Sequence, residues 1–501
     1  VHSHSFGFWF ELPPEPPVGA INNVCSHNEH LGEFINNTFH GNGVLGLRIY
    51  PRWTPHEIPC DESSPPAPQY LRDMVSYRNG GNGMFSKNHG DLHHVGHTFV
   101  ENGGIGISIL HYLHVGYTMN PTFLDTYLIG SIDPHFNSDT VMNLAVLAPQ
   151  DEFFYMKDTT VINYGRGGAL SGCNGCLNGE NMNQGAKTYR FSGLKFVNTT
   201  RRTRWSPHYK QIFWDLDGTL AGYSNSYVLQ WYDFNAWSPH CSRLPIEVYG
   251  DTMICVNTTV RRVEIDFVEP IELDFTDLSI YGDNRSAELY FLPYDTYGWV
   301  APLVVNHTYS LEWTDSGVSP TKFHLNMGAQ AQTYIAEVVA TGNNEAIGLN
   351  FQPNPYDYIP YSYEVSYNGL WKYSDVNFSV SLSDDMASSS FVNGSLNVIL
   401  SSNAANESIA DPYGVAVEAR LCPPVGCPIP PLPSIPSNYT LWSDYTSWPN
   451  NVVPSANQDV VIEGDMWIHM DISPPPLKTL IVYGKLTFKS GLDETLKLQV
   501  S

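Results

Sequence analysis

A segment that recurs at a fixed offset restricts a chain to folds that can stack equivalent turns, and this sequence contains one. Phe39-His40-Gly41-Asn42-Gly43-Val44-Leu45-Gly46-Leu47-Arg48-Ile49 aligns with Phe99-Val100-Glu101-Asn102-Gly103-Gly104-Ile105-Gly106-Ile107-Ser108-Ile109, sixty residues later. Tyr77-Arg78-Asn79-Gly80 through Gly83-Met84-Phe85 is a looser copy between them. Such spacing suits a parallel β-helix with one coil per roughly 20–25 residues. Apolar side chains then alternate inward, Asn residues ladder at a turn, and Gly supplies positive φ there. Leu194, Phe196 and a turn at Asn198 read as a later coil. A lone β-sandwich would not require a repeat.

The expected organisation is all-β. The C-terminal coils of a right-handed parallel β-helix occupy 1–230. From Trp231 to residue 421 the pattern becomes long alternating strands, such as Val260 to Phe267, Glu288 to Pro293, Thr333 to Val339 and Leu396 to Ser401. Acidic and Ser/Asn-rich turns separate them, which reads as a β-sandwich or jelly-roll-like region. A Pro-rich linker follows at 422–440, extended and stapled at its start by a Cys422–Cys427 loop. Residues 441–501 open a further module. Trp442, Trp448 and Pro449 precede Asp459-Val460-Val461-Ile462-Glu463-Gly464, and later come Trp467 to Asp471, Leu477 and Leu480 to Phe488. Those short strands read as stacked rungs that are incomplete at Ser501, to be finished by a longer chain or a neighbour.

Net charge of −25, with 50 acidic residues against 25 basic ones, excludes nucleic acid and anionic membrane as partners. The densest basic stretch, Arg201-Arg202-Thr203-Arg204 with Lys210 nearby, reads as a solvated turn, with a ligand site as its rival. No run is apolar for the roughly eighteen residues of a membrane span, and no signal-peptide core is present. The chain therefore reads as a mature or excised segment. Eight cysteines group as Cys173 with Cys176, Cys241 with Cys255 and Cys422 with Cys427, leaving Cys25 and Cys60. Short even pairings favour disulfides in an oxidising compartment; a zinc finger would need a second C-x-x-C. Nine sequons, at Asn36, Asn198, Asn257, Asn284, Asn306, Asn377, Asn393, Asn406 and Asn438, agree with an extracellular, N-glycosylated protein.

Phe213-Trp214-Asp215-Leu216-Asp217-Gly218-Thr219-Leu220 matches a haloacid-dehalogenase phosphatase signature, but that chemistry requires a parallel α/β sheet that the surroundings do not predict. Asp215 and Asp217 ahead of Gly218 suit a calcium-binding turn, or a metal-free turn held by Asx hydrogen bonds. Calcium is the sole cofactor this chain suggests, and no catalytic residue stands out. Histidines cluster at His2 and His4, at His27 and His30, and at His93, His94, His97, His111 and His114. Zinc or copper would need three in register; solvated or laddered histidine is the default. Asp73, Asp91, Glu101, Asp125, Asp133, Asp139 and Asp151 lie in the expected β-helix without a distinctive glycosidase pair. Tyr356, Tyr358, Tyr361, Tyr363, Tyr367, Trp371 and Tyr373 are an interface or a sandwich core.

The C-terminal pattern resembles the opening of the domain named for its eight glycines, with Gly464, Gly484 and Gly491 in this chain. Gly7-Phe8-Trp9-Phe10, Gly32-Glu33-Phe34 and Asn37 resemble the β-helix of fibrocystin-like proteins and cell-surface hyaluronidases. Trp214-Asp215-Leu216-Asp217-Gly218-Thr219 is similar to the stretch that closes that region in those families. The order of β-helix, sandwich and new eight-glycine domain is similar to that of the fibrocystin-like branch. The resemblance implies a cell-surface structural glycoprotein that self-associates into a coat or filament. Its alternative is a hyaluronidase-like glycan depolymerase on the same scaffold.

Overall fold

In the computed structural model, the structure describes residues 1–313 apart from 13–23, 113–120, 132–143, 150–153, 166–167, 173–187, 206–210 and 293–297. It describes residue 320 and the strands alone between 322 and 420, and then residues 439–488. Contacts divide the chain into two compact units, Val1–Cys427 and Pro428–Ser501.

The first unit begins with three parallel sheets that the chain visits in turn. The first sheet takes, in order, Phe6–Glu11, Leu45–Tyr50, Met84–His89, Ile107–Tyr112, Val146–Leu147 and Leu170–Ser171. The second begins Phe34–Ile35, Gln69–Arg72, Leu92–Val95, Phe123–Leu124, Tyr155–Lys157, Thr188–Ser192 and Ile212–Asp215. The third takes Thr38–His40, Val75–Tyr77, Thr98–Val100, Tyr127–Ile129, Thr160–Ile162 and Lys195–Val197. Each circuit therefore adds one strand to every sheet, in register with the strand before.

That register stacks like upon like. Phe8, Leu47, Met84, Ile107, Val146 and Leu170 are successive partners in the first sheet. Phe39, Ser76, Phe99, Leu128, Val161 and Phe196 follow in the third. Because alternate side chains point to one face, the buried apolar members of these columns and their counterparts in the second sheet meet in one cluster, with Phe8 outside it.

Two-residue links join the second sheet to the third, and each has its first residue in the left-handed region. Asn36, Asp73, Gly96, Asp125, Asp158 and Gly193 occupy it at φ between 51° and 72°. Gly, Asn and Asp are the residue types that tolerate this backbone. At the next corner Asn42, Asn79 and Asn102 form the ladder that the repeat predicts. Asn42 Nδ2 donates to Asn79 Oδ1 at 2.8 Å, and Asn79 Nδ2 donates to Asn102 Oδ1 at 2.9 Å. The backbone N–H groups of Asn42 and Asn79 donate to the same two oxygens. Gly46 must be glycine there: a Cβ would lie 2.1 Å from Ser76 Oγ and 2.5 Å from the Gly83 carbonyl.

After Ile212–Asp215 the second sheet continues antiparallel through Ser226–Gln230, Thr252–Cys255 and Cys241–Arg243. Further on, a six-stranded and a seven-stranded sheet contain the strands from Val260–Glu269 to Tyr413–Arg420. Val263 and Ile265 of one and Leu278, Ile280, Tyr309 and Leu311 of the other share a second buried cluster. Pairing is mostly antiparallel; His307–Glu312 with Glu345–Phe351 is a parallel exception. Of the expected long strands, Val260 to Phe267 lies within Val260–Glu269 and Leu396 to Ser401 within Ser395–Ser402. The strand expected at Glu288 to Pro293 instead forms at Arg285–Leu289, in a hairpin with Leu278–Gly282. Thr333 to Val339 lies outside the described residues.

The second unit pairs Thr440–Leu441, Trp467–Met470 and Lys485–Phe488 in parallel, and Asp459–Ile462 with Thr479–Val482 likewise. Trp442, Trp448, Val460, Ile462, Ile468, Met470 and Leu477 form its core. Disulfides join Cys25 to Cys60 and Cys241 to Cys255; Cys173, Cys176, Cys422 and Cys427 lie outside the described residues. Among the described residues, no helix is long and apolar enough to cross a membrane.

Asn79→Ala is expected to strand the donors of Asn42 in a buried site and to cost about 2–3 kcal/mol, read by urea denaturation. An unchanged midpoint would show that the Asn ladder does not hold the circuits together.

Candidate functional site

The second sheet's inward column is where chemistry meets the core. Phe34, Leu71, His94, Phe123, Met156, Phe191 and Asp215 are successive in-register partners. Five are apolar; His94 and Asp215 are not, and both are fully buried.

His94 lies flat on Phe123 at 4.5 Å between ring centroids, with His89 stacked at 5.2 Å. Its protonation is dictated from the backbone. The Met74 N–H donates to His97 Nδ1 at 3.1 Å, so that nitrogen is an acceptor and His97 carries its proton on Nε2. His97 Nε2 donates to His94 Nδ1 at 3.0 Å, which puts the His94 proton on Nε2. That buried nitrogen has no hydrogen-bond partner among the described residues. His89 turns its Nδ1 to Ser86 Oγ at 3.0 Å and its Nε2 to the Leu92 carbonyl at 3.4 Å. Burial drives the His89 and His97 rings down to about 3, and takes His94 well below the usual imidazole range with help from its neighbouring histidines. All three are neutral at physiological pH.

His93 points the other way along the strand, against Tyr70 at 5.1 Å. Its Nε2 lies 2.8 Å from Asp91 Oδ1 and its Nδ1 3.1 Å from the Pro121 carbonyl, in a buried pair. The remaining histidines are dispersed. His27 meets Glu62 at 3.3 Å, His30 reaches the His56 carbonyl, and His2, His40 and Tyr77 stack in sequence. His4 donates its backbone N–H to Asn42 Oδ1, His111 pairs in register with Asn88, and His114 lies outside the described residues. Among the described residues, no three His, Cys, Asp or Glu side chains are placed to share a metal ion.

Asp215 ends the column and begins a turn built around its carboxylate. Oδ1 accepts the Gly218 N–H at 3.0 Å; Oδ2 accepts those of Leu220 and Ala221 at 3.1 and 2.8 Å. Burial nonetheless raises the Asp215 carboxyl to about 6, against the pull of those N–H groups and with a small push from Asp217. Asp217 Oδ1 accepts from the Thr219 N–H and hydroxyl, while Oδ2 takes the Gly193 N–H at 2.6 Å. Thr219 Oγ1 accepts the Leu194 N–H at 2.9 Å, so the turn docks on the last second-to-third-sheet link. Gly218, at φ +84°, permits the reversal. All four carboxylate oxygens thus serve the chain's own donors, and a calcium ion would compete for them. The strands flanking Asp215 are all-β, and the lone α-helix among the described residues is four residues long, so phosphatase chemistry lacks its α/β frame.

Other candidate residues have structural partners as well. Arg202 donates to the Leu220 carbonyl at 2.6 Å and the Tyr249 hydroxyl at 3.0 Å, lying over the Phe196 ring; it is a brace, not a solvated arm. Lys210 lies outside the described residues. Asp73 and Asp125 are link residues, Asp91 faces His93, and Glu101 pairs with Arg78 at 2.8 Å. Asp133, Asp139 and Asp151 lie outside the described residues, as do the side chains of the Tyr356 to Tyr373 cluster. The five sequon residues that are described, Asn36, Asn198, Asn257, Asn284 and Asn306, are all exposed. Asn377, Asn393, Asn406 and Asn438 fall outside. His89 and the relay from His97 to His94 were not singled out from sequence. The signal was available: the offset of 23 that relates Asn79 to Asn102 also relates Leu71 to His94.

Residues 447–501 match the G8 domain model. The chain is similar to fibrocystin-L of Mus musculus and of Homo sapiens, 23% identical over 521 aligned positions that cover 96% of this chain and 12% of each relative. It is likewise similar to fibrocystin of Mus musculus, 24% identical over 91% of this chain and 11% of the relative. The chain therefore spans about an eighth of the length of the curated relatives it matches.

These histidines and Asp215 pull stability in opposite directions with pH. The folded chain refuses protons at His89, His94 and His97, so their contribution is complete above about 6.5 and is lost as pH falls. Asp215, raised in the fold, contributes below its ordinary value near 3.8 and loses that contribution as pH rises to about 6. Each proton is worth about 1.4 kcal/mol per pH unit, so three histidines outweigh one aspartate and acid destabilises. Urea denaturation at pH 5, 6 and 7 is expected to show stability falling with acidity. His94→Leu should flatten that slope by about one proton, and Asp215→Asn should steepen it. Parallel curves for all three proteins would contradict the assignment.

Proposed function

This is a fibrocystin-like protein with a G8 domain, and from that premise we propose that it is an extracellular, N-glycosylated structural glycoprotein that associates with copies of itself in a cell-surface coat or filament. The three in-register parallel sheets are, in this reading, the faces of a right-handed parallel β-helix spanning 1–230. Residues 231–421 are its β-sandwich region, 422–440 a stapled spacer, and 441–501 the first part of the eight-glycine domain.

One observation carries the reading. Phe8 belongs by register to the inward column of the first sheet, where Leu47, Met84 and Ile107 are fully buried, yet it is 39% exposed. It lies over Phe10, Phe34 and Phe39 at 4.8 to 6.3 Å, an aromatic platform at the end of the stack. Among the described residues, strand Phe6–Glu11, which carries Phe8, has a partner on one side in its sheet. An apolar platform next to an unpaired strand edge is a surface that another copy of the chain can pack against and pair with. Exposed sequons and the two disulfides support an oxidising, glycosylating compartment. Among the described residues the depolymerase alternative has no comparable support, since Asp91 and Glu101 are paired and Asp73 and Asp125 serve as links.

The test is light scattering of secreted protein at rising concentration, with electron microscopy of the same sample. Assemblies that Phe8→Asp abolishes are expected; a monomer at every concentration would remove the self-associating version. Intact mass before and after peptide N-glycosidase treatment should exceed, then return towards, the 56.0 kDa of the polypeptide. A mass of 56.0 kDa from the outset would remove glycosylation.

A further inference from the structure

The outer face of the first sheet has a feature that neither the core nor self-association uses. Trp9, Arg48 and Phe85 are outward-facing register partners on its first three strands. The Arg48 guanidinium carbon lies 4.3 Å from the Trp9 ring centroid, 4.4 Å from Tyr50 and 4.9 Å from Phe6. Lys87 Nζ lies 5.2 Å from the same Tyr50 ring. Three rings around one guanidinium hold it by cation–π attraction and use none of its N–H donors as hydrogen-bond partners of a carboxylate kind. Neither Arg48 nor Lys87 has a hydrogen-bond acceptor or an ion-pair partner among the described residues. In a chain with twice as many acidic as basic residues, two unpaired cations side by side are a departure from the average surface. Their donors remain within reach of solvent, and Trp9 is 37% exposed beside them.

We propose that Trp9, Arg48, Tyr50 and Lys87 form a binding site for an acidic saccharide residue, one that carries a carboxylate on its ring. The guanidinium edge matches the two oxygens of a carboxylate in a single plane, and Lys87 adds a second positive charge. The part of the Trp9 ring left exposed by Arg48 and Phe6 can meet the C–H side of a sugar, the kind of contact an indole makes readily. Carboxylate and sugar face lie on one small ring, so a saccharide meets both halves at once. An acidic peptide side chain has the carboxylate but no flat apolar face to lay on Trp9. Glu11, paired in register with Tyr50, is an acid on this face, forms no ion pair among the described residues, and opposes the ligand's charge. The site lies on the outer face of the sheet, opposite to the face on which Phe8 lies.

The experiment is calorimetric titration of the full chain, at 20 and at 300 mM salt, with three probes: a uronic-acid trisaccharide, a neutral hexose trisaccharide of equal length, and a glutamate-rich hexapeptide. The acidic trisaccharide is expected to bind at least tenfold more tightly than either of the others, and salt should weaken it several-fold. Trp9→Ala and Arg48→Lys should each lower its affinity about tenfold, the second retaining the charge and losing the fork. Glu11→Gln removes an exposed acid without touching the rings, and should raise affinity two- to threefold. That variant keeps the test decisive if Arg48→Lys lowers the melting temperature. No heat with the acidic trisaccharide, equal binding of the neutral one, a peptide that binds as tightly, or an affinity unmoved by Glu11→Gln and Trp9→Ala would each overturn the proposal.

Discussion

The three-sheet part of the first unit depends on the in-register stacking of parallel strands, circuit upon circuit. A single circuit has three short strands and buries a handful of side chains, too little to offset the entropy of ordering it. Stability comes from the neighbour: the partner of Leu47 is Met84, the partner of Phe99 is Leu128, and each circuit roofs the one before. The Asn ladder and the left-handed links are the hydrogen-bonded and conformational counterparts of that packing. They recur because every circuit turns the same corner. The two disulfides and the Asp215 turn then fix segments that the stack alone does not hold.

The same stacking determines what ionisable groups can do inside. His94, fully buried between Leu71 and Phe123 in the inward column and stacked on His89, stays neutral, and one proton direction passes from the Met74 N–H to His94 Nε2. Asp215, at the column's end, is held by three N–H groups yet still titrates high, because desolvation outweighs them. These are conditions for a pH-sensitive core rather than for acid–base catalysis, since sealed groups do not meet a substrate.

Much of this was legible in the sequence because the repeat places residues physically. Phe39, Asn42, Gly43 and Gly46 recur as Phe99, Asn102, Gly103 and Gly106, and the intermediate copy carries Ser76, Asn79, Gly80 and Gly83; the structure stacks them in that order. Asp215 and Asp217 were legible as turn formers from their spacing ahead of Gly218. The pairing of Cys241 with Cys255 followed from proximity, and Cys25 with Cys60 from what was left. The histidine relay was not legible: whether a histidine points inward depends on a strand's phase, and His93 and His94 differ by one residue. Nor did the basic stretch reveal that Arg202 is a brace, because the Leu220 carbonyl and Tyr249 hydroxyl that engage it come from distant sequence. The cation–aromatic face was likewise invisible, since Trp9, Arg48 and Lys87 are neighbours only once three circuits are in register.

Amide hydrogen exchange resolved along the first 230 residues tests the central claim, that the circuits form one cooperative stack, most directly. The account predicts that Leu47, Met84 and Ile107, with their third-sheet counterparts Ser76, Phe99 and Leu128, exchange slowly and lose protection together as urea rises. Independent, rapid exchange circuit by circuit would contradict it.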